Sequence, residues 1–517
     1  MIISKKLRST FAFQKILFFL FSLILTNSFA QKKKVQIEIN PSITYQKIEH
    51  FGASDAWACQ FVGEWQQDKR EEIADLLFSQ DTLKNGQPKG IGLSLWRFNI
   101  GAGSTEQGEK SGIKDTWRRA ESFLNDNGNY DWNHQKGQIW FLNAAKKRNV
   151  PKFLAFANSP PVQFTTNKRA FASNGKPNLD SSKFDNFSIF LSNVIVGVKE
   201  KTGVLFDYIS PVNEPQWKWS DGNQEGSPFT NQDIVGITKS LSAALIKANL
   251  PTQINISEAG QIDYLYRNHN NPQCGNQVSI FFQNGTPLYV GGLPNLINAI
   301  SGHSYFTTSP IDTAIFKRKE LQKIINSISS LRYWMSEYCI LGDNDGEIDG
   351  NKKDLGIEPA LYLAKTIHND LVYANASSWS WWTALSAYDY KDGLIYVDKS
   401  TTNGNFYPSK MLWAFGNYAR FIRPNAVRIS ASIKSKYSSK ILVSAYQNSD
   451  KKLIVIIINS ENYPIELKLL LKNQKILSLK TYSTSKTDDL KALNTLKNQK
   501  YICVTPKSIS TLVIDII

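Results

Sequence analysis

Cysteine is scarce: four residues in 517, at positions 59, 274, 339 and 503. None stands at CxxC spacing, which argues against zinc ribbons and dithiol redox motifs. Cys59, Cys274, Cys339 and Cys503 read as small buried hydrophobes, and sequence does not choose among their possible pairings. No Gly-rich phosphate turn follows the first predicted strand, so the anion cradle of nucleotide-binding folds is missing. No group of side chains has metal-ligand spacing, and neither a metal nor a cofactor is expected. Beyond residue 30 no run is apolar enough to span a bilayer. No internal repeat appears other than a rhythm of strand and helix.

Charge of one sign is in excess, at +16, yet it is not gathered into a groove. Lys5, Lys6, Arg8 and Lys15 precede the apolar run Ile16–Leu25, and Lys32, Lys33 and Lys34 follow it. Much of the remainder is lysine scattered through the last hundred residues, which suits a solubilising face better than nucleic-acid binding. The basic start, the apolar run and Ser28-Phe29-Ala30 together read as a secretory signal over 1–30, cut near Ala30. The mature protein is expected to be exported, soluble and monomeric, with no stable membrane insertion and no nucleic-acid partner.

Val35–Ile39 alternates as a strand, and residues 31–44 are assigned to a small domain shared with the C-terminus. From 45 to 423 short apolar strands alternate with helices. Strands are predicted over 47–52, 92–98, 152–157, 206–212, 253–257, 299–304, 332–336 and 377–382. Helical three- and four-residue spacing marks 66–77, 133–148, 182–202, 231–248, 314–330 and 357–373. Eight strands with helical crossovers imply an α/β fold, a (β/α)8 TIM barrel, with a doubly wound open sheet as the alternative. After Pro424 the strand candidates 441–446, 453–459, 465–471, 476–482 and 508–515 are joined by Asn-, Ser- and Lys-rich turns. Residues 424–517 are therefore assigned to an accessory antiparallel β-sandwich that braces the barrel.

In such a barrel, chemistry gathers where the strands end. Those ends carry Asp55 and Trp57, Arg97, Asn158, Asn213-Glu214, Glu258, His303 and Tyr305, Glu337, and Trp379, Trp381 and Trp382. Carboxylates, amides, a guanidinium and aromatic rings in this arrangement suit a sugar-binding cleft. Retaining glycoside cleavage needs a proton donor and an ionised nucleophile about 5–5.5 Å apart. Glu214 is the acid/base candidate. Glu337 and Glu258 both end strands, and residue type alone leaves them in competition as nucleophile. Arg97 could keep that nucleophile ionised and Tyr305 could donate to it. Trp381 is the candidate for stacking on a sugar ring; Asn158, Trp57 and Asp55 are further candidates for substrate contact. The competing class is a carbohydrate-binding protein without catalysis, but both glutamates are present.

Asn158-Ser159-Pro160-Pro161, Pro211-Val212-Asn213-Glu214-Pro215, Ser336-Glu337-Tyr338 and the flanking sandwich resemble glycoside hydrolase family 30, over nearly the whole mature chain. The resemblance implies Glu214 as acid/base and Glu337 as nucleophile. It also implies that Asn213 binds the hydroxyl beside the anomeric carbon, with Arg97, His303 and Tyr305 around the nucleophile. The substrate would be a β-linked polysaccharide or oligosaccharide, and the motifs look most like endo-β-1,6-galactanases. β-1,6-Glucanase, glucuronoxylanase, glucosylceramidase and β-fucosidase are the family's other activities. The usual aromatic and methionine after the double proline are replaced by Val162-Gln163-Phe164.

Overall fold

The computed structural model describes residues 33–434, 440–493, 495 and 501–517. The signal expected at 1–30 lies outside the described residues. Strand β1 (Lys33–Lys47) belongs to the C-terminal sheet, and the next eight strands form the barrel. These are β2 (His50–Ser54), β3 (Leu95–Ile100), β4 (Lys152–Ala157), β5 (Tyr208–Ser210), β6 (Gln253–Ala259), β7 (Leu296–His303), β8 (Arg332–Glu337) and β9 (Ser378–Ser386). All are parallel, and β9 closes the ring by pairing with both β8 and β2. The fold is a (β/α)8 barrel with an antiparallel sandwich-like sheet, not an open doubly wound sheet.

Strand alternation decides what the barrel interior receives. In β3, Trp96 turns outward to Phe78 and Phe141 on the surrounding helices Gln67–Phe78 and Lys136–Lys147. Its neighbours Arg97 and Asn99 are thereby sent inward, and both are buried. At the base of the barrel His50, Tyr208 and Trp334 meet edge to face and tilted, forming an aromatic plug. Polar groups are left to the opposite mouth, where the strands end.

The structure departs from the expected element bounds in a few places. β5 is only Tyr208–Ser210, because Pro211 lacks an N–H for a longer ladder. β9 runs on to Ser386 and is followed by a parallel strand, Gly393–Val397. A helix over Lys410–Ala419, capped by Ser409, has no counterpart in the sequence reading. Among the described residues no helix is long and apolar enough to cross a membrane.

The C-terminal sheet takes β1 between Val427–Ile433, antiparallel, and Ile465–Leu471, parallel. Leu453–Asn459 is buried along its whole length, and its two faces serve two cores. Leu453, Val455 and Ile457 join the core of the sheet itself, while Ile454, Ile456 and Ile458 join the barrel's core. Asn417 and Thr511 exchange hydrogen bonds at 2.9 and 2.8 Å across this contact. The sheet thus packs directly on the barrel. All four cysteines are free; Cys59, Cys274 and Cys339 are buried as expected of small hydrophobes, whereas Cys503 is exposed on an edge strand.

Candidate active site

The mouth of the barrel brings together groups from strands far apart in the chain. Glu214 follows β5, Glu258 lies on β6, His303 ends β7 and Glu337 ends β8. A carboxylate oxygen of Glu214, a ring nitrogen of His303 and a carboxylate oxygen of Glu337 all lie within 4.8 Å of one another. His303 Nδ1 is 2.9 Å from Glu214 Oε1 and 3.5 Å from Glu337 Oε1, and Nε2 is 3.1 Å from Glu258 Oε2. Arg97 Nη1 donates to Glu337 Oε2 at 3.1 Å, and the Tyr305 hydroxyl donates to Glu337 Oε1 at 3.2 Å. The Arg97 guanidinium lies over the Phe156 ring at 4.5 Å, which fixes its plane.

Backbone geometry at this mouth is unusual. Glu214, Ser257 and Glu258 all take left-handed conformations, with φ of 43°, 84° and 42°. Such conformations are uncommon for residues with a Cβ and cluster at working sites. Here the Glu214 N–H is turned onto the Glu258 carbonyl at 2.8 Å, locking the ends of β5 and β6 together.

The two candidate nucleophiles have different environments. Glu258 is fully buried, and Oε1 accepts from Ser210 at 2.7 Å and from Asn255 at 3.2 Å. Its other oxygen accepts from His303 and Ser336. Burial pushes this carboxyl up, but His303, Arg97 and Ser336 more than reverse that and hold it at about 2. It accepts from donors on both oxygens and does not line the cavity. Glu337 does line it. Burial raises the Glu337 carboxyl, with Glu214 and Glu258 adding to the rise and His303 and Arg97 opposing it. Glu214 and Glu337 flank one imidazole nitrogen. Burial alone would lower the His303 pKa, yet Glu337, Glu214 and Glu258 push it up to about 10. His303 thus bridges carboxylates that favour its protonated form. The trio lies at ligand-like spacing.

Above the carboxylates opens a cavity of about 610 Å3 whose walls include Trp217, Trp219, Tyr305, Phe306, Trp382 and Asn213. Trp217 and Trp219 follow Glu214 directly, and Trp219 Nε1 donates to the Glu214 carbonyl at 3.0 Å. A side chain at Gly260 would run into Trp217 at 2.5 Å, so that ring needs glycine behind it. Phe306 meets Trp217 edge to face and is 70% exposed at the rim. Large rings beside carboxylates and amides suit a glycan.

A family model described as "O-Glycosyl hydrolase family 30" matches residues 34–396, and one described as "Glycosyl hydrolase family 30 beta sandwich domain" matches 425–512. The chain belongs to glycosyl hydrolase family 30. Among solved structures it is similar to a conserved exported protein from Bacteroides fragilis, 32% identical, with 92% of this chain and 99% of that one covered and a TM-score of 0.86. It shares its fold with the catalytic domain of family 30 xylanase C from Talaromyces cellulolyticus (23% identity, 93% and 100% covered, TM-score 0.67). The same holds for an endo-β1,6-glucanase (16% identity, 92% and 94% covered, TM-score 0.65).

Within this family 30 glycosidase several expected substrate contacts are placed elsewhere. Trp381 is fully buried: it stacks on Trp379, and its indole N–H donates to the Asp392 carbonyl at 2.5 Å. Alternation along β9 gives the cavity face to Trp382 instead. Trp57 packs edge-on against Trp382 at 6.1 Å and supports it from behind. Asp55 accepts the Asn99 N–H at 2.8 Å, tying β2 to β3, and burial holds its carboxyl up at about 8. Asn158 accepts from Asn213 Nδ2 and donates to Asn99 Oδ1, both at 3.0 Å. It therefore orients Asn213, whose Oδ1 is left without a partner on the cavity wall. Arg97 and His303 are fully buried and hold the carboxylates from behind. None of Asp55, Trp57, Arg97, Asn158, His303 and Trp381 lines the cavity, while Asn213 and Tyr305 do.

Several cavity residues were not anticipated. Trp217 and Trp219 were open to a sequence reading, since they stand three and five residues beyond Glu214. Phe306, Arg118 and Asp392 carried no such signal. The stretch 263–294 forms the short helices Asp263–Tyr266 and Gln277–Phe282 and lines none of the cavity.

Proposed function

We propose that this family 30 glycoside hydrolase cleaves a β-linked polysaccharide by double displacement, with β-1,6-galactan as the leading substrate. Glu337 is the nucleophile and Glu214 the acid/base. The observation that carries the reading is the approach of Glu214 and Glu337 to within 4.8 Å about His303. That separation suits covalent retention, whereas inversion with an intervening water needs about 6.5–9.5 Å.

His303 occupies Oε1 of Glu214, leaving Oε2 to carry the catalytic proton to the leaving oxygen. Arg97 and Tyr305 each use one lone pair of Glu337, and a carboxylate offers about four. Enough remain for attack on the anomeric carbon. The glycosyl–Glu337 ester is then hydrolysed by water that Glu214 deprotonates. Asn213 Oδ1 accepts from the hydroxyl next to the anomeric carbon, held in place by Asn158.

Internal cleavage is favoured because the 263–294 stretch leaves the Phe306 rim clear. Galactan comes from the likeness of the Asn-Ser-Pro-Pro turn and the Pro-Val-Asn-Glu-Pro run to β-1,6-galactanases. Export is inferred from the signal-like sequence over 1–30 and the similarity to an exported protein.

The test is incubation with β-1,6-galactan, β-1,6-glucan and glucuronoxylan while reducing ends are measured. Galactan should release short mixed products early, and Glu337→Gln should abolish release while still binding the polymer. A Glu337→Gln variant as active as the parent would overturn the assignment. Products from glucuronoxylan alone would overturn the choice of substrate.

A further inference from the structure

One end of the cavity carries a polar pair that the double displacement does not use. Asp392, just beyond β9, lies on the cavity wall and is 5% exposed, yet its Oδ1 has no hydrogen-bond partner. Its main chain is fixed, because its carbonyl accepts from the Trp381 indole. Arg118, from the segment after β3, also lines the cavity. Its guanidinium sits over the Tyr388 ring at 4.3 Å, and Nη1 donates to Gln224 Oε1 at 3.1 Å. Burial raises the Asp392 carboxyl to about 6 although Ser386, Arg118 and Gly393 oppose the rise, so a further donor from a ligand would stabilise its charged form. A fixed guanidinium on the same wall supplies the matching donors.

The position of the pair follows from the contacts. Trp217 and Trp219 both bond to the Glu214 main chain and so stand at the Glu214 end of the cavity. The Asp392 main chain is joined to Trp381, which packs on Tyr338 next to Glu337, so Asp392 is linked to the Glu337 strand end. Among the described residues, the carboxylates lining the cavity are Glu214, Glu337, Asp221 and Asp392, and Arg118 is the basic side chain on its wall.

We propose that Asp392 and Arg118 bind hydroxyls of the sugar held on the nucleophile side of the scissile bond, and that this pair selects a neutral glycan over a uronic-acid one. Asp392 accepts from a hydroxyl and Arg118 donates to one. Arg118 is already balanced by Asp392, so a uronate carboxylate brought to the same place would meet a second carboxylate with no uncompensated cation beside it. The inference rests on the glycosidase reading of this cavity and adds which residues choose the sugar.

The test uses the full-length protein carrying Glu337→Gln, so that ligands bind without turnover. Calorimetric titration is run with β-1,6-galacto-, β-1,6-gluco- and glucurono-xylo-oligosaccharides, then repeated with Asp392→Asn or Arg118→Gln added. At least one neutral oligosaccharide should bind more tightly than the acidic one. Asp392→Asn should weaken that binding about ten- to hundredfold, as for loss of a hydrogen bond to a charged group. It should also narrow the gap to the acidic ligand. Unfolding midpoints show whether each variant is folded; if Asp392→Asn is not, Arg118→Gln decides by the same criterion. Unchanged neutral affinity, tighter binding of the acidic ligand, or no binding of any neutral ligand overturns the proposal. Hydrolysis by the parent and its loss in Glu337→Gln are scored separately, so the glycosidase reading can stand if this pair fails.

Discussion

Replacing Glu258 by Gln separates a structural anion from a catalytic one, and its consequence can be worked out from two sides. The carboxyl is held at about 2 against an ordinary 4.5. At about 1.36 kcal/mol for each pH unit, that gap is about 3 kcal/mol of preference for the ionised, folded form. From the contact side, the carboxylate accepts from Ser210, Asn255, His303 and Ser336 with Arg97 Nη2 at 3.9 Å. Removing one partner from a buried ion pair costs about 3–5 kcal/mol. Glu258→Gln should therefore lower the unfolding free energy at pH 7 by about 3–5 kcal/mol in a urea titration. The pKa is depressed on folding, so this contribution is complete above about pH 4.5 and is lost as the pH falls through about 2. Parent and variant curves should converge at the acid end. A difference below about 1 kcal/mol at pH 7, within the range of a surface pair, would refute the buried-brace account. So would a gap that widens with acid.

Glu337→Ala with added azide should restore turnover and give a glycosyl azide of configuration opposite to the substrate; Glu258→Ala should give none, as product NMR would show. Tyr305→Phe removes one donor from Glu337 and should lower kcat about tenfold with KM little changed, measured from initial rates. Trp382→Ala should weaken polymer binding, whereas Trp381→Ala should instead lower the unfolding free energy by about 3–5 kcal/mol, the cost of a large core deletion. Phe306→Ala should raise KM for polymer and leave cleavage of the shortest oligosaccharides unchanged; an equal loss on both would remove Phe306 from the leaving-group side.

Much of the fold was legible because its signals are local. Barrel strands are short apolar runs, their helices keep three- and four-residue spacing, and the segments past Pro424 are strand-like runs joined by Asn-, Ser- and Lys-rich turns. The carboxylates were legible because barrel chemistry follows strand ends, and both Asn213-Glu214 and Glu337 stand there. Trp381 was misjudged although the alternation was visible: period two separates Trp381 from Trp382 but does not say which face is the cavity. That needed β9 placed between β8 and β2.

The chain alone determined the order of strands and helices, the carboxylates that stand at strand ends and the family motifs around them, since each is written in residue types at fixed spacing. Tertiary structure sets Glu258 and Glu337 in different surroundings. Donors from β5, β6, β7 and β8 converge on Glu258 and leave Glu337 facing the cavity. It also decided that Arg97 and His303 act from behind the site and that Asp392 and Arg118 share a wall. Those facts depend on distances between segments up to hundreds of residues apart, which no local pattern encodes.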